Sequence, residues 1–247
     1  MKHMIVLAID TSTHNGNLGW VKFSDSNIPE PIDFASIFLP SKPGHAEKLL
    51  QRIELLLESS GLSFADISLI ALGKGPGTFT GLRIGFATAI ALNIASDTPI
   101  CAISTLKTTA LSAKKSGTVL SVMDARRKEL YAAVYNVKED GNYFNADEVI
   151  SPFVAKPDAL INILKENQIK LPCIITGNGA AAYPEVISEL GPIPAVYETA
   201  PDICHLAIEA VKKFKISGCD DLTNLEPDYI REPDAKKPAE RQPVISN

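Results

Sequence analysis

Two aspartates stand at equivalent places in this chain, each closing an apolar run and each followed by a polar turn. Asp10 ends the run 5–9 and leads into Thr11-Ser12-Thr13, whereas Asp124 ends the run 119–123 and leads into Ala125-Arg126-Arg127-Lys128. A strand-end carboxylate can hold a metal–nucleotide when a hydroxyl stands beside it and a glycine lets the backbone close on a phosphate. The first turn keeps the acid and hydroxyls, Asp10, Thr11 and Ser12, but has no glycine next to Asp10. The second has neither glycine nor hydroxyl and carries long cationic side chains instead. The competing reading is of acids that cap turns.

A third stretch with chemical promise is Gly73-Lys74-Gly75-Pro76-Gly77-Thr78-Phe79-Thr80-Gly81-Leu82-Arg83-Ile84-Gly85, with five glycines in thirteen residues. It lies between the apolar runs 67–72 and 86–95, a strand–loop–helix order that aims N–H groups and a positive helix end toward an anion. It fails as a P-loop, because Phe86 follows the last glycine and Lys74 lies on the wrong side. Pro76 also removes an N–H from its centre. The other reading is structural: the glycines permit a sharp exit from the strand, and Gly81 and Gly85 pack closely against a neighbouring helix. His3, His14, His45 and His205 form no HxxxH or HxxH pair, so a histidine metal site has no support. Ser104 and Ser121 fall in strands without a nucleophile elbow.

The elements that must position these residues follow from periodicity. Apolar runs at 5–9, 18–23 and 32–39, separated by turn signals, predict an antiparallel meander. A helix at 45–60 gathers Leu49, Ile53 and Leu56 on one face, and a strand at 67–72 follows. The next helix, 81–96, carries a single charge, Arg83. A helix apolar all round is covered all round, and one sheet covers only one side of it. A strand at 100–104 and a helix at 105–116 close the first half. The second half then repeats the opening: strand 119–124, turn, strand 130–136, strand 148–153, helix 157–168, strand 173–176, loop 177–179, strand 195–198 and helix 201–216. This duplication describes an α/β fold of two tandem actin-like lobes (ribonuclease-H-like, ASKHA) with mixed sheets. The expected lobes are 1–106, partner-binding, and 107–223. Residues 224–247, with Pro227, Pro233, Pro238 and Pro243 among charges, read as a tail that is disordered or draped on a partner.

Composition narrows the partners. A net charge of −5 over 247 residues gives no general attraction to nucleic acid or anionic membranes. Four cysteines without CxxC spacing fit reduced thiols better than disulfides or zinc. The apolar run before Asp10 is too short for a signal peptide and 84–95 too short to span a bilayer, so a cytoplasmic protein is expected.

Taken together, Ile9-Asp10-Thr11-Ser12-Thr13, His45-Ala46-Glu47-Lys48-Leu49-Leu50, the glycine-rich 73–85, Ser104-Thr105-Leu106, Asp124-Ala125-Arg126-Arg127-Lys128-Glu129-Leu130-Tyr131 and Pro227-Asp228-Tyr229-Ile230-Arg231 resemble the bacterial TsaB (YeaZ) family. The resemblance runs from about residue 4 to 231 and is strongest in the first 135 residues. Lys74 stands where that family often has arginine, and Thr78 where it often has serine. The resemblance implies a non-catalytic subunit needed for threonylcarbamoyladenosine formation beside the tRNA anticodon. It implies pairing with a TsaD-like transferase through helices of the first lobe, recruitment of a TsaE-like ATPase, a homodimer when alone, and only indirect tRNA contact. TsaD holds its metal with an HxxxH segment; the corresponding Ile103-Ser104-Thr105-Leu106-Lys107-Thr108 has no histidine. No cofactor is expected on the chain alone, with ATP or ADP and Mg2+ only in the complex. Expected interface residues are His45, Leu49, Ile53, Leu56, Leu82, Phe86 and Ile90. The alternatives are an actin-like kinase or nucleotide hydrolase using Asp10 and Asp124, and a peptidase.

Overall fold

The computed structural model describes residues 3–24, 29–39, 45–191 and 201–231, the side chains of 45–47 excepted. The expected strand at 195–198 and the tail beyond 231 lie outside these residues.

The first sheet has the order β3-β2-β1-β4-β5, built from β1 (Met4–Asp10), β2 (Gly16–Phe23), β3 (Pro31–Leu39), β4 (Leu69–Gly75) and β5 (Ile100–Ser104). β1 to β3 form the antiparallel meander, and β4 and β5 continue it in parallel. The second sheet has the order β8-β7-β6-β9, from β6 (Gly117–Asp124), β7 (Leu130–Asp140), β8 (Tyr143–Ala155) and β9 (Ile174–Thr176). β6 lies between an antiparallel β7 and a parallel β9, as β1 lies between β2 and β4. The repeat read from the sequence is therefore a repeat of sheet topology, and both key aspartates end the pivotal strand of their sheet.

Strand β1 is apolar without interruption because both its faces are covered. Leu7 and Ile9 enter a core shared with α1 (His45–Ser59) and α2 (Phe79–Ser96). Val6 and Ala8, pointing the other way, pack against Ile203, Leu206 and Ala210 of α7 (Ile203–Ser217). The last helix among the described residues thus covers the first sheet. Conversely α3 (Thr105–Leu111), which follows β5, sets Leu106, Ala110 and Leu111 against Val119, Met123 and Tyr135 of the second sheet. The outer face of that sheet is covered by α4 (Leu160–Glu166), α5 (Asn178–Ala182) and α6 (Pro184–Ser188). Between the sheets α3 and α7 meet through an ion pair, Lys107 Nζ to the buried Glu209 at 2.6 Å.

Local signals set the ends of the helices that matter most here. Gly61, at φ +67, closes the turn after α1, and Asp97, left-handed at φ 55, caps α2 with its N–H on Asn93 O at 2.7 Å. α2 spans 18 residues at a mean hydropathy of 1.3, longer than the run 84–95 and apolar enough by composition alone to cross a membrane. Leu82, Phe86 and Ala89 are nonetheless buried within this chain.

Candidate functional site

The glycine-rich loop sits directly on the turn that follows β1. Asp10 is fully buried; its carboxylate accepts hydrogen bonds from the Ser12 N–H at 2.9 Å, from the Ser12 hydroxyl, and from the Thr105 hydroxyl at 3.5 Å. Thr105 Oγ1 in turn accepts the Gly75 N–H at 3.1 Å, so one polar chain ties the ends of β1 and β4 to the start of α3. Thr11 donates its hydroxyl to Gly81 O at 2.7 Å, and the Thr78 N–H donates to Ser12 O at 2.7 Å. No cation faces Asp10 among these partners. Burial pushes its carboxyl up to about 6, against the lowering effect of Ser12 and Thr105.

The glycines exist for this contact. A Cβ on Gly73 would lie 2.2 Å from Asp10 Oδ2, on Gly77 2.4 Å from Ser12 O, on Gly81 2.0 Å from Thr11 O, and on Gly85 2.4 Å from Thr11 Oγ1. Of the five, Gly75 alone has a positive φ, +108. The packing expected of Gly81 and Gly85 against a helix is thus made against the β1–β2 turn instead. Asp10, Thr11 and Ser12, the weak nucleotide candidates, are engaged by the chain's own groups: Asp10 by Ser12 and Thr105, and Thr11 and Ser12 by the glycine loop.

The second turn is built differently. Arg126, Arg127 and Lys128 are consecutive left-handed residues, at φ 62, 54 and 62. Each costs roughly 1–2 kcal/mol for an L-residue, so the frame around them must hold them there. Asp124 supplies part of that frame, accepting the Arg126 N–H at 2.8 Å and donating its own N–H to Asn178 Oδ1 at 3.0 Å. The Ala125 N–H reaches Glu129 O and the Glu129 N–H reaches Arg126 O, both at 3.0 Å. A cleft of about 490 Å³ opens nearby, lined by Thr13, Asn17, Phe38, Lys114, Asn178 and Asp202 among others. Neither Asp10 nor Asp124 lines it. Burial would raise the Asp202 carboxyl there, but His205 and Lys114 outweigh it and hold it below the ordinary carboxylate range. That carboxylate caps α7, accepting the Cys204 N–H at 2.8 Å.

The segment 225–231 joins these two turns. Leu225 packs into the first core, the Asp228 N–H donates to Lys74 O at 2.9 Å, and Lys74 Nζ pairs with Asp228 at 2.8 Å. The Tyr229 ring lies 5.4 Å from that of Phe79, which also carries the Arg83 guanidinium 3.8 Å above its centre. Arg231 donates to Ala125 O at 3.0 Å and pairs with Glu129. These residues, expected to belong to a tail that is disordered or draped on a partner, are a strap on the chain itself.

The helices above the first turn have an inside and an outside that the sequence did not separate. Leu49 and Leu82 are each 1% exposed, and Ile53, Leu56 and Phe86 are buried with them, so these expected interface side chains belong to the chain's own core. Ile90 is half-buried, and the His45 side chain lies outside the described residues. The uncovered stripe of α2 is carried instead by Phe79, Arg83, Ala87, Ala91 and Ile94, the last 74% exposed. On α1, Leu50 is 51% exposed and lines a groove of about 350 Å³ with Leu57, Leu62, Phe64 and Leu92.

Against known proteins, the family model for TsaD, tRNA N6-adenosine threonylcarbamoyltransferase, matches residues 40–241. The tRNA threonylcarbamoyladenosine biosynthesis protein TsaB of Escherichia coli (strain K12) is 30% identical over 217 residues, 83% of this chain and 88% of that one. This chain belongs to the TsaB (YeaZ) family. The TsaB of Bacillus subtilis (strain 168) is 29% identical over 92% of this chain and 94% of its own. Two Pseudomonas aeruginosa structures share the fold: YeaZ, with a TM-score of 0.66 at 23% identity, covering 92% of this chain and 99% of that one, and a protein described as similar to the peptidase YeaZ, with a TM-score of 0.70 at 24% identity, covering 92% and 100%. The actin-like α/β fold read from the sequence is the fold of this TsaB-family chain.

Sequence reasoning missed the strap and the outward stripe of α2. The strap had a signal, since Pro227-Asp228-Tyr229-Ile230-Arg231 is among the segments that resemble TsaB. The stripe had none: with apolar residues all round α2, periodicity offers no way to tell which face meets the sheet.

Proposed function

We infer that this chain is a non-catalytic subunit of the machinery that forms threonylcarbamoyladenosine in tRNA, acting as a binding platform for the transferase. Its membership of a family named for that biosynthesis supports the pathway. The observation that carries the non-catalytic role is the enclosure of Asp10, Thr11 and Ser12 by the glycine loop. A magnesium nucleotide does not fit there, because the hydroxyl of Thr11 and the carboxylate of Asp10 already serve the chain's own backbone and hydroxyls. The kinase reading loses its first acid on this ground. Any ATP, ADP or Mg2+ is bound in an assembly with the transferase and a TsaE-like ATPase.

The partner surface is the outward stripe of α2 with Leu50 of α1. Ala87 and Ala91, one turn apart, let another helix approach closely, and Ile94 offers an apolar anchor. A TsaD-like subunit occupies this face in the assembly, and a second copy of the chain occupies it when the chain is alone. The chain divides for this purpose into a partner-binding lobe, 1–106, and a second lobe, 107–223; the contiguity of β1–β5 and of β6–β9 supports that division for the sheets, while α7 crosses back to cover the first. The test is a reconstituted tRNA modification assay on a cytoplasmic fraction lacking this chain. Modification absent without it and restored by its addition is expected; unchanged modification would rule the role out.

A further inference from the structure

The outward face of α1 and α2 carries its charges at opposite ends. α2 has one charge, Arg83, on the same exposed stripe as Phe79, Ala87, Ala91 and Ile94. On α1, Glu54 and Glu58 are exposed and line the groove of about 350 Å³ with Leu50, Leu57 and, from α2, Leu92. Lys48 and Arg52 do not line that groove, since helical spacing puts them on another edge of α1. Arg83 and Leu92 are nine residues apart in sequence, about 14 Å along the helix axis. The cation and the two acids therefore mark the two ends of one apolar face. Arg83, Glu54 and Glu58 enter no ion pair among the described residues.

Arg83 is ordered before any partner arrives. Its guanidinium lies 3.8 Å above the Phe79 ring, and that ring also meets Tyr229 at 5.4 Å between centres. Tyr229 is placed by the strap, whose Asp228 carboxylate is taken by Lys74 at 2.8 Å. Stacking occupies a face of the guanidinium and leaves its in-plane N–H groups for a carboxylate. Exposed ion pairs are weak partly because a long side chain loses rotamer freedom on pairing; here folding has already taken part of that loss.

Two symmetric arrangements bring this face against itself. With the two-fold axis along the helices, Arg83 of one copy stands level with Arg83 of the other, and the acids stand level with the acids. With the axis across the helices, the copies run antiparallel, and each Arg83 stands level with Glu54 and Glu58 of the other copy. Midway between those levels the stripe presents Ala87, with Ala91 one turn on, so two helices approach most closely where the axis crosses. Small residues and opposite charges select the same register.

We propose that the chain pairs with a second copy in this antiparallel register, Arg83 of each copy binding Glu54 and Glu58 of the other. The proposal rests on the assignment of this face to partners under the function given above, and it adds the orientation and the residues that recognise the partner.

The test exchanges charges on the full-length chain and reads the dimer dissociation constant by analytical ultracentrifugation. Arg83→Glu and the double variant Glu54→Arg/Glu58→Arg are each expected to keep the wild-type melting temperature, because all three side chains are exposed. Each is expected to weaken its own dimer at least about tenfold, since both pairs become like-charged. An equal mixture of the two variants is expected to regain the wild-type constant, because every contact across the mixed dimer again joins opposite charges. A mixture that stays monomeric would overturn the proposal, as would a dimer that neither change weakens. Should a variant not fold, the wild-type chain in a salt series reads the same claim: dissociation rises with salt if the pairs hold the register, and a constant independent of salt would overturn it. Omitting the chain from the tRNA modification assay separates this outcome from the broader reading. If omission abolishes modification while the exchanges leave the dimer unchanged, only this proposal fails; if omission changes nothing, the functional reading fails first.

Discussion

The turns after β1 and after β6 occupy the same place in two copies of one sheet topology, yet they have opposite chemistry. The first is buried and drawn tight: Asp10 has no access to solvent, and four glycines of the facing loop approach within distances that no Cβ could tolerate. The second is exposed and held open in a left-handed arc, with cations where the first has hydroxyls. In a duplicated fold, the strand ends are where side chains from both halves converge, and here the two ends carry different chemistry. One has become the seat of a helix, and the other a charged rim. The difference lies in what faces each turn: the glycine loop closes over the first, whereas Asn178 and Arg231 brace the second from behind.

Glycine substitutions should therefore act with opposite sign at the two turns. Gly81→Ala places a methyl group 2.0 Å from the Thr11 carbonyl, where backbone meets backbone and neither can retreat. A loss of about 3 kcal/mol or more is expected from urea unfolding, at the upper end of overpacking effects. An unchanged midpoint would show that the loop does not seat on the turn as described.

Asp10 gives the next largest effect, seen as a dependence on pH. Its folded value of about 6 lies above its ordinary 3.8, so the folded protein holds the proton more tightly than the unfolded chain between those values. Stability then falls as pH rises through that window, and the full cost of about 3 kcal/mol is present above pH 6. Asp10→Asn removes this one slope and leaves every other titrating group in place. The difference in unfolding free energy between the two proteins, followed from pH 4 to 7, should change by that order and then level off. Parallel pH profiles would contradict the buried, cation-free carboxylate.

The smallest expected effect belongs to the second turn. Arg127→Gly relieves a left-handed arginine at φ 54 and should stabilise the chain by about 0.5 kcal/mol, after the greater entropy lost by glycine is allowed for. Destabilisation in thermal unfolding would mean that the arginine side chain holds the turn, and the contrast between the two turns would weaken.

Much of the fold was legible in the sequence because its rules are local. Strict apolar runs between turn residues locate β1, β2, β4 and β6, and the aspartate closing both 5–9 and 119–123 discloses the repeat. The destination of α7 was not legible, since an amphipathic face says that a helix is covered but not by which sheet; Ile203 and Leu206 suit either. The inward turn of five of the seven expected interface side chains was hidden for a related reason. On α1, Leu49, Ile53 and Leu56 were read as surplus apolar surface, yet they fill the core over Leu7 and Trp20, leaving Leu50 outside. The strap was hidden because its attachments are single contacts, the Asp228 ion pair, the Tyr229 ring and the Arg231 fork, which have no period to detect. Of the two readings open for the glycine loop, the close-packing one named the wrong neighbour, because nothing local says that Thr11 lies 70 residues away in sequence and in contact in space.

The claim at the centre is that the collapsed first turn serves to present α2 to another protein. The direct test compares the wild-type chain with Ile94→Glu by size-exclusion light scattering, alone and mixed with the transferase subunit. Ile94 is 74% exposed, so the variant should unfold at the wild-type temperature while running as a monomer and failing to bind the transferase. An Ile94→Glu chain that still dimerises and still binds the transferase would show that this face is not the interface.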